Sequence, residues 1–233
     1  MDEKILNNDQ LYNLLDSLLR DPIVFWDDFY EDRDKKIPFF KNSPDENLVE
    51  YFRDGLNPTL VLEIGCGPGR NAIYMAKQGC EVDGLDLSKA ALKWAQERAD
   101  EAGANINFIC KSLFDFNVEP YTYDFIYDSG MFHHLAPHRR ITYLNKIRKA
   151  LKPNGYFGIV CFNTDGAPAS TDWEIYRDRS LKGGIGYSEE RFREIFEEHF
   201  NIIHLRTMKN TPPQSGMFGI DFLWTSLMQI KGE

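Results

Sequence analysis

Short apolar runs alternate with helical patterns from about residue 59 to residue 162, and this alternation restricts the fold more than any other feature of the chain. The five runs are TLVLEIG, CEVDGLDL, NINFICKSL, YDFIYDSG and YFGIVCFN. Strands that are largely apolar and alternate with helices favour a parallel sheet covered on both faces. The last third of the chain adds a predicted helix, SEERFREIFEEHF, and two further predicted strands. We therefore expect an α/β fold, with a doubly wound, mostly parallel seven-stranded sheet and helices on both faces.

Turn and cap residues give the expected bounds of several elements. Asp45 is expected to cap the helix DENLVEYFRDGL, and Ser88 and Gly103 to begin and end the helix SKAALKWAQERADEAG. The run Pro153-Asn154-Gly155 is expected to form a turn that ends the helix before it. Residues 163–187 are expected to form a long loop, and loops of that length in compact domains are commonly functional.

Residues 1–58 are predicted to form a helical extension, and residues 59–233 to form one globular domain with it. Aromatic residues are concentrated between positions 25 and 40, ahead of the alternating region. We expect this segment to lie over the core as a lid that excludes water from a ligand. The alternative is an added helix whose aromatic side chains only cover the core.

The composition limits the classes of partner. A formal net charge of −9 disfavours nucleic acid and anionic membranes, because their charge has the same sign. No apolar run reaches the ~18 residues that cross a bilayer, and the polar start MDEKILNNDQ is unlike a signal peptide. The four cysteines form no C-x-x-C pair, which is typical of free thiols in a reducing compartment. We expect a cytoplasmic protein that acts on a small molecule; the oligomeric state is not predicted.

The segment VLEIGCGPGRNA places a glycine loop between a predicted strand and a predicted helix. Gly65, Gly67 and Gly69 follow a G-x-G-x-G spacing, whereas dinucleotide sites use G-x-G-x-x-G. Pro68 also removes one backbone donor that a phosphate site would use. Asp86 ends the next strand, 21 positions beyond Gly65, where an acidic side chain can accept both ribose hydroxyls. The pattern predicts a nucleoside-like ligand without a pyrophosphate.

Residues 60–160 resemble the class I S-adenosylmethionine-dependent methyltransferases. The matching stretches are VLEIGCGPGRNA, VDGLDLS, YDFIYDSGMFHHL and LKPNGYFGIV. The resemblance implies the cofactor S-adenosylmethionine and the release of S-adenosylhomocysteine. More loosely, GRNAIYMA and WDDFY are similar to small-molecule methyltransferases of the thiopurine, thiol or halide, and tellurite-resistance type.

The resemblance also implies which residues hold the cofactor. Glu63, Gly65 and Gly67 would line its methionine end, while Asp86 and Leu87 would hold ribose and adenine. A serine, Ser112, stands where the family often has an acidic residue. The full predicted set is Glu63, Gly65, Cys66, Gly67, Gly69, Asn71, Asp86, Leu87, Ser112, Leu113, Asp128 and Ser129.

Methyl transfer is an in-line displacement at a sulfonium carbon, so catalysis depends largely on positioning. A thiolate acceptor would need no base, whereas an amine or hydroxyl would need one to take its proton. Asp128, His133 and Tyr30 are the catalytic candidates, and the nearby histidines lack the partners and spacing of a zinc site. The predicted substrate-contacting residues are Trp26, Phe40, His134, Trp173, Tyr176, Arg177 and Tyr187.

Some of these residues also have purely structural interpretations. His134 could instead hold its loop in place, and the arginines of residues 163–187 could pair with surface acids. For the whole chain, a protein or RNA methyltransferase and a non-catalytic S-adenosylmethionine-binding module remain as alternatives. A nicotinamide-dependent oxidoreductase is disfavoured by the glycine spacing.

Overall fold

The computed structural model describes residues 4–232, which form a single seven-stranded sheet with helices on both faces. The strand order is β3-β2-β1-β4-β5-β7-β6. The strands are β1 (Leu60–Ile64), β2 (Glu81–Asp86), β3 (Asn107–Cys110), β4 (Tyr123–Ser129), β5 (Leu151–Phe162), β6 (Phe200–Thr207) and β7 (Leu223–Ile230). The first five strands are parallel, and β7 runs antiparallel between β5 and β6. The predicted doubly wound, mostly parallel fold is confirmed.

Eight α-helices connect and precede the strands in the described part of the chain. They are α1 (Asn8–Ser17), α2 (Pro22–Glu31), α3 (Glu46–Arg53), α4 (Arg70–Lys77), α5 (Lys89–Ala102), α6 (Arg140–Ala150), α7 (Asp172–Asp178) and α8 (Glu189–Phe196). Ser88 caps α5 by accepting a hydrogen bond from the Ala91 N–H, and Gly103 ends it in the left-handed region at φ +62°. Both bounds agree with the sequence prediction. No helix within residues 4–232 is long and apolar enough to cross a membrane.

Two local expectations need correction. Helix α6 ends at Ala150 as expected, but the turn-like residues 153–155, with Asn154 at φ +64°, interrupt the register inside β5: Leu151 pairs with Tyr123, and the pairing resumes at Tyr156. The predicted loop at 163–187 contains α7, which a capping box between Thr171 and Glu174 stabilises. Local capping thus builds a helix in a stretch where the apolar pattern predicted none.

The two faces of the sheet follow from the two-residue period of β1. Val61 belongs to a buried cluster with Leu48 of α3 and Met75 of α4. Leu62 points the other way, into a cluster that includes Phe192 of α8. Since successive strand residues point to opposite faces, both faces of β1 are covered and its apolar run is explained.

The extension before β1 packs on the body mainly through α2. The Asp27 carboxylate accepts hydrogen bonds from the Ser88 hydroxyl (2.7 Å) and the Ala90 N–H (3.2 Å), at the start of α5. A carboxylate at a helix N-terminus is favoured by the orientation of the backbone dipoles. The placement sets α2 beside the carboxyl ends of β1 and β2.

Candidate functional site

The glycine loop joins β1 to α4 and is held in a conformation that glycine favours. Gly67 and Gly69 have φ values of +51° and +79°. A Cβ on Gly67 would lie 2.9 Å from the Tyr30 hydroxyl oxygen, and one on Gly69 would lie 3.1 Å from Ala95 Cβ. The first contact shows that α2 reaches the loop, and the second that α5 packs closely beneath it.

Asp86 lies at the end of β2 and faces this loop. Its carboxylate oxygens accept hydrogen bonds from the Gly67 N–H and the Ser88 N–H, each at 2.8 Å. Burial raises the pKa of this carboxyl. The predicted ribose acid is therefore brought to the glycine loop, as the sequence spacing required.

Glu63 is the penultimate residue of β1 and is almost fully buried, with 1% of its surface exposed. Its Oε2 atom is buried and has no hydrogen-bond partner within the described residues. Burial raises the pKa of Glu63 to about 8, and the Arg70 charge and the Asn71 side chain oppose that rise. An unpaired buried acceptor at this position suits a cationic ligand group.

A buried polar network joins Asp45, Arg70, Asn71, Tyr127 and Ser129, and the sequence interpretation did not foresee it as a unit. Asp45 pairs with Arg70 and accepts hydrogen bonds from the Tyr127 hydroxyl (2.8 Å) and the Ser129 hydroxyl (2.6 Å). Asn71 donates to the same carboxylate at 3.0 Å. The network fixes the ends of β4 and α4 relative to one another, beside Glu63.

The Asp45 side chain makes no capping hydrogen bond to α3, although the residue occupies the N-cap position. Asp45 therefore occupies the expected N-cap position, but its carboxylate bonds to the network instead of to the helix N–H groups. The sequence carries one signal for this: an arginine at the first position of α4, where acidic residues are favoured.

Asp128 is the penultimate residue of β4, and both of its carboxylate oxygens accept hydrogen bonds. It accepts hydrogen bonds from the Met131 N–H at 2.8 Å and from the Tyr143 hydroxyl at 2.5 Å, and it is fully buried. Burial raises its pKa to about 6. Through these contacts the carboxylate holds the turn after β4, and a direct catalytic role for Asp128 stays a prediction.

His133 and His134 follow that turn and are uncharged near neutral pH. The His133 Nδ1 atom accepts a hydrogen bond from the Phe162 N–H at 3.2 Å, and its ring lies 3.8 Å from the Phe162 ring. Burial lowers the pKa of His133 well below its usual value and that of His134 to about 3. Neither imidazole has the basicity of an efficient general base at neutral pH.

The aromatic side chains of α2 cover this edge of the sheet. Trp26 lies between Tyr30, which contacts the glycine loop, and His134, which follows β4. Its ring centroid is 5.9 Å from that of Tyr30 and 4.9 Å from that of His134. Tyr30 packs on Phe40 at 5.7 Å and is nearly buried. The segment therefore lies over the glycine loop and the β4 turn, where a lid would be.

The remaining cofactor candidates lie around the same edge. Cys110 pairs with Asp86 in the parallel ladder of β2 and β3, so the segment after β3 emerges beside the ribose acid. In that segment Leu113 is buried, and the Ser112 hydroxyl accepts a hydrogen bond from the Phe114 N–H at 3.2 Å. Leu87 is partly exposed between Asp86 and the Ser88 cap, and Cys66 is buried within the glycine loop.

The predicted substrate residues of the region after β5 are not brought to this site. Trp173 is 72% exposed, and Arg177 pairs with Asp178 on the surface. Tyr176 bonds to His138 through its hydroxyl, and Tyr187 is buried in the core against Phe132. Helix α7 and the following turn direct these four side chains away from the glycine loop, and their contact with a substrate stays a prediction.

No cluster of three or more histidine, cysteine or acidic side chains suited to a metal ion occurs between residues 4 and 232.

Residues 61–155 match a family model described as a methyltransferase domain. Residues 61–155 are a methyltransferase domain of the S-adenosylmethionine-dependent kind. A curated relative, 2-heptyl-1-hydroxyquinolin-4(1H)-one methyltransferase of Mycobacteroides abscessus, is 25% identical over 71% of this chain and 69% of its own length.

Two solved structures show the same fold. One is the 1,6-didemethyltoxoflavin N1-methyltransferase of Burkholderia thailandensis, crystallised with its substrate and S-adenosylhomocysteine; it covers all of this chain and 94% of its own, with a TM-score of 0.66 and 20% identity. The other is TehB of Haemophilus influenzae, with a TM-score of 0.61 and 20% identity over 79% of this chain and 62% of its own. The fold of this methyltransferase is thus shared with both proteins.

The residues at this edge of the methyltransferase sheet fit the cofactor S-adenosylmethionine. The unpaired Oε2 of Glu63 suits an ammonium group, and the Asp86 carboxylate suits paired hydroxyls. Gly67 presents no side chain, and the Tyr30 hydroxyl lies close to its backbone, where it would cover a bound ligand. When bound, the cofactor supplies an electrophilic methyl group on a positively charged sulfur.

Proposed function

We propose that this methyltransferase transfers the methyl group of S-adenosylmethionine to a small-molecule acceptor. The observation that carries the proposal is the aromatic cover over the glycine loop and the β4 turn, with Trp26 between Tyr30 and His134. A covered, largely apolar approach admits a compact molecule more readily than a folded protein or an RNA. The net charge of −9 supports the same choice.

The residues of the cover would exclude water and fix the acceptor in line with the breaking bond. Such positioning supplies much of the acceleration in a displacement whose leaving group is neutral. Tyr30 would close over the cofactor, with its hydroxyl near Gly67 and the methionine end. Asp128 would act on the reaction only through the β4 turn that it holds.

Two small-molecule enzymes among the similar proteins support a flat heteroaromatic acceptor. The names of the M. abscessus and B. thailandensis proteins specify a hydroxyquinolone and a toxoflavin precursor as their substrates. Trp26 and the neutral ring of His134 offer this methyltransferase similar apolar, planar contacts.

A screen of thiols, phenols, N-hydroxy heterocycles, amines and halides tests the proposal. The readout is the S-adenosylhomocysteine formed, measured by a homocysteine-coupled assay. Turnover of at least one aromatic small molecule is the expected result. Turnover of a protein or RNA fraction with none of the small molecules would overturn it, and tight S-adenosylhomocysteine binding with no turnover on any acceptor would indicate the non-catalytic module.

A further inference from the structure

Arg20 lies at the junction of α1 and α2 and stacks on an aromatic ring. Its guanidinium carbon is 3.4 Å from the centroid of the Phe25 ring. No carboxylate lies within ion-pair distance of Arg20 among residues 4–232, although the chain has 36 acidic residues against 27 basic ones. Partial burial lowers the pKa of Arg20. A cation held in place without a counter-ion is available to an anionic ligand.

The nearby acidic side chains are engaged elsewhere. The Asp21 carboxylate accepts hydrogen bonds from the Ile23 and Val24 N–H groups and so caps α2. Asp16 pairs with Arg139 and His138, and Asp27 bonds to Ser88. These contacts leave Arg20, which is exposed, without a carboxylate partner among residues 4–232.

His134 connects this charge to the site. Its ring meets the Trp26 ring edge to face at 4.9 Å, and Trp26 in turn contacts Phe25 at 5.0 Å. The His134 Nδ1 atom is buried and has no partner within the described residues. The Arg20 charge is close enough to contribute to the lowered pKa of His134. One buried polar atom and one uncompensated cation thus flank the same pair of aromatic rings.

We propose that Arg20 and His134 bind the acceptor and select a planar aromatic molecule in its anionic form, such as a thiolate or a phenolate-like oxyanion. The inference rests on the proposed small-molecule methyl transfer. An anionic acceptor attacks with a lone pair on sulfur or oxygen, a bond forms to the methyl carbon, and the carbon–sulfonium bond breaks. The electron pair stays on the cofactor sulfur, so one anion and one sulfonium give two neutral sulfur or oxygen products. No proton has to be removed.

Methyl transfer to an anion is consistent with the weak basicity of the titratable side chains at the β4 turn. His133 and His134 are neutral, and both oxygens of Asp128 are used within the protein. A neutral amine or alcohol would need a base at this point, whereas an anion needs only charge stabilisation and orientation. Arg20 is therefore a specificity-determining residue, and His134, in the tautomer with the proton on Nδ1, is a hydrogen-bond donor to the acceptor.

Calorimetric titration of the S-adenosylhomocysteine complex tests this selection. The probes are 4-nitrothiophenolate and 4-nitrophenolate, with neutral 4-nitrotoluene of the same shape. We expect the anions to bind at least about tenfold more tightly than the neutral probe. Arg20→Gln should remove this preference, and Arg20→Lys should keep part of it. His134→Phe, which keeps a ring against Trp26 but removes Nδ1, should weaken the anions alone.

Arg53→Gln is the matched control, because Arg53 is exposed on α3 and its ion pairs within residues 4–232 are with Glu50 and Asp54. It changes the net charge equally and should leave the preference intact. Equal binding of anionic and neutral probes, no binding of either, or a preference that survives Arg20→Gln would overturn the inference. Failure of S-adenosylhomocysteine itself to bind would instead reject the proposed methyl transfer, so the two failures are distinguishable.

Discussion

Glu63 shows how one buried acid can report on cofactor binding. With its pKa raised to about 8, Glu63 is protonated at pH 7 in the free protein. An ammonium group beside Oε2 would favour the ionised form and lower that pKa. The proton is then released on binding, and cofactor affinity should increase as the pH rises from about 6.5 towards 8.5.

Titration calorimetry with S-adenosylhomocysteine at pH 7, in buffers of different ionisation enthalpy, measures that proton. We expect release of a fraction of one proton by the natural protein and no such release by Glu63→Gln. Release of the same size in the Gln variant would assign the proton to another group.

The Asp86 carboxylate should contribute directly to cofactor affinity. Asp86→Ala removes the acceptor of the Gly67 and Ser88 N–H groups and the proposed partner of both ribose hydroxyls. Loss of charge-assisted hydrogen bonds to the ligand should weaken S-adenosylhomocysteine binding by ~1–3 kcal/mol. Asp83→Ala, three positions earlier in the same strand, is the control. Unchanged affinity in Asp86→Ala would contradict the ribose assignment.

Sequence spacing located some of these residues because their roles are fixed by neighbours in the chain. The glycines and Asp86 are set by the strand–loop–helix–strand order, and the structure joins them by a hydrogen bond. The ion pair between Arg70 and Asp45 was not predicted, because it depends on how α3 folds back on α4. Asp128 was located at the strand end, but Tyr143, which occupies one of its oxygens, comes from a helix that spacing cannot orient.

The helix α2 is attached to the body by polar contacts at one point and aromatic contacts along its length. Asp27 joins it to the start of α5, and Trp26 and Tyr30 lie over the site. The lid interpretation of the extension remains a prediction, which the strength of this attachment can test.

Asp27→Ala should loosen α2 without altering the sheet. It removes two hydrogen bonds at the N-terminus of α5, a loss of about 1 kcal/mol, or roughly a fivefold increase in local opening. Hydrogen exchange of residues 22–31 measures the opening. Asp28→Ala, at an exposed neighbouring position, should leave the exchange unchanged. Equal exchange in the two variants would contradict a lid anchored at Asp27.

At the scale of elements, periodicity predicted the parallel strands and the long helix α5 well. Periodicity failed in segments whose conformation is set by capping or pairing hydrogen bonds. The capping box of α7 and the pairing of Leu151 with Tyr123 both lie in segments without a continuous apolar pattern. The unpredicted helix α7 carries Trp173 and Arg177, whose side chains lie at the surface.

The whole molecule should gain stability from its cofactor, because the site joins the extension, both central strands and two helices. At a S-adenosylhomocysteine concentration about 100 times its Kd, binding adds about 2.7 kcal/mol to the free energy of unfolding. For a chain of 233 residues this corresponds to an increase in Tm on the order of 5–10 °C. Scanning calorimetry measures it, with adenosine monophosphate as the control ligand.

The contact between Tyr30 and Gly67 also bears on the order of events in a catalytic cycle. A side chain packed over the loop that holds the cofactor obstructs its exchange, so we expect loading and product departure to require α2 to swing away. The acceptor would then enter second, once Trp26 has formed its wall. Turnover in saturating substrate would be limited by the rate of undocking at Asp27 rather than by the displacement itself.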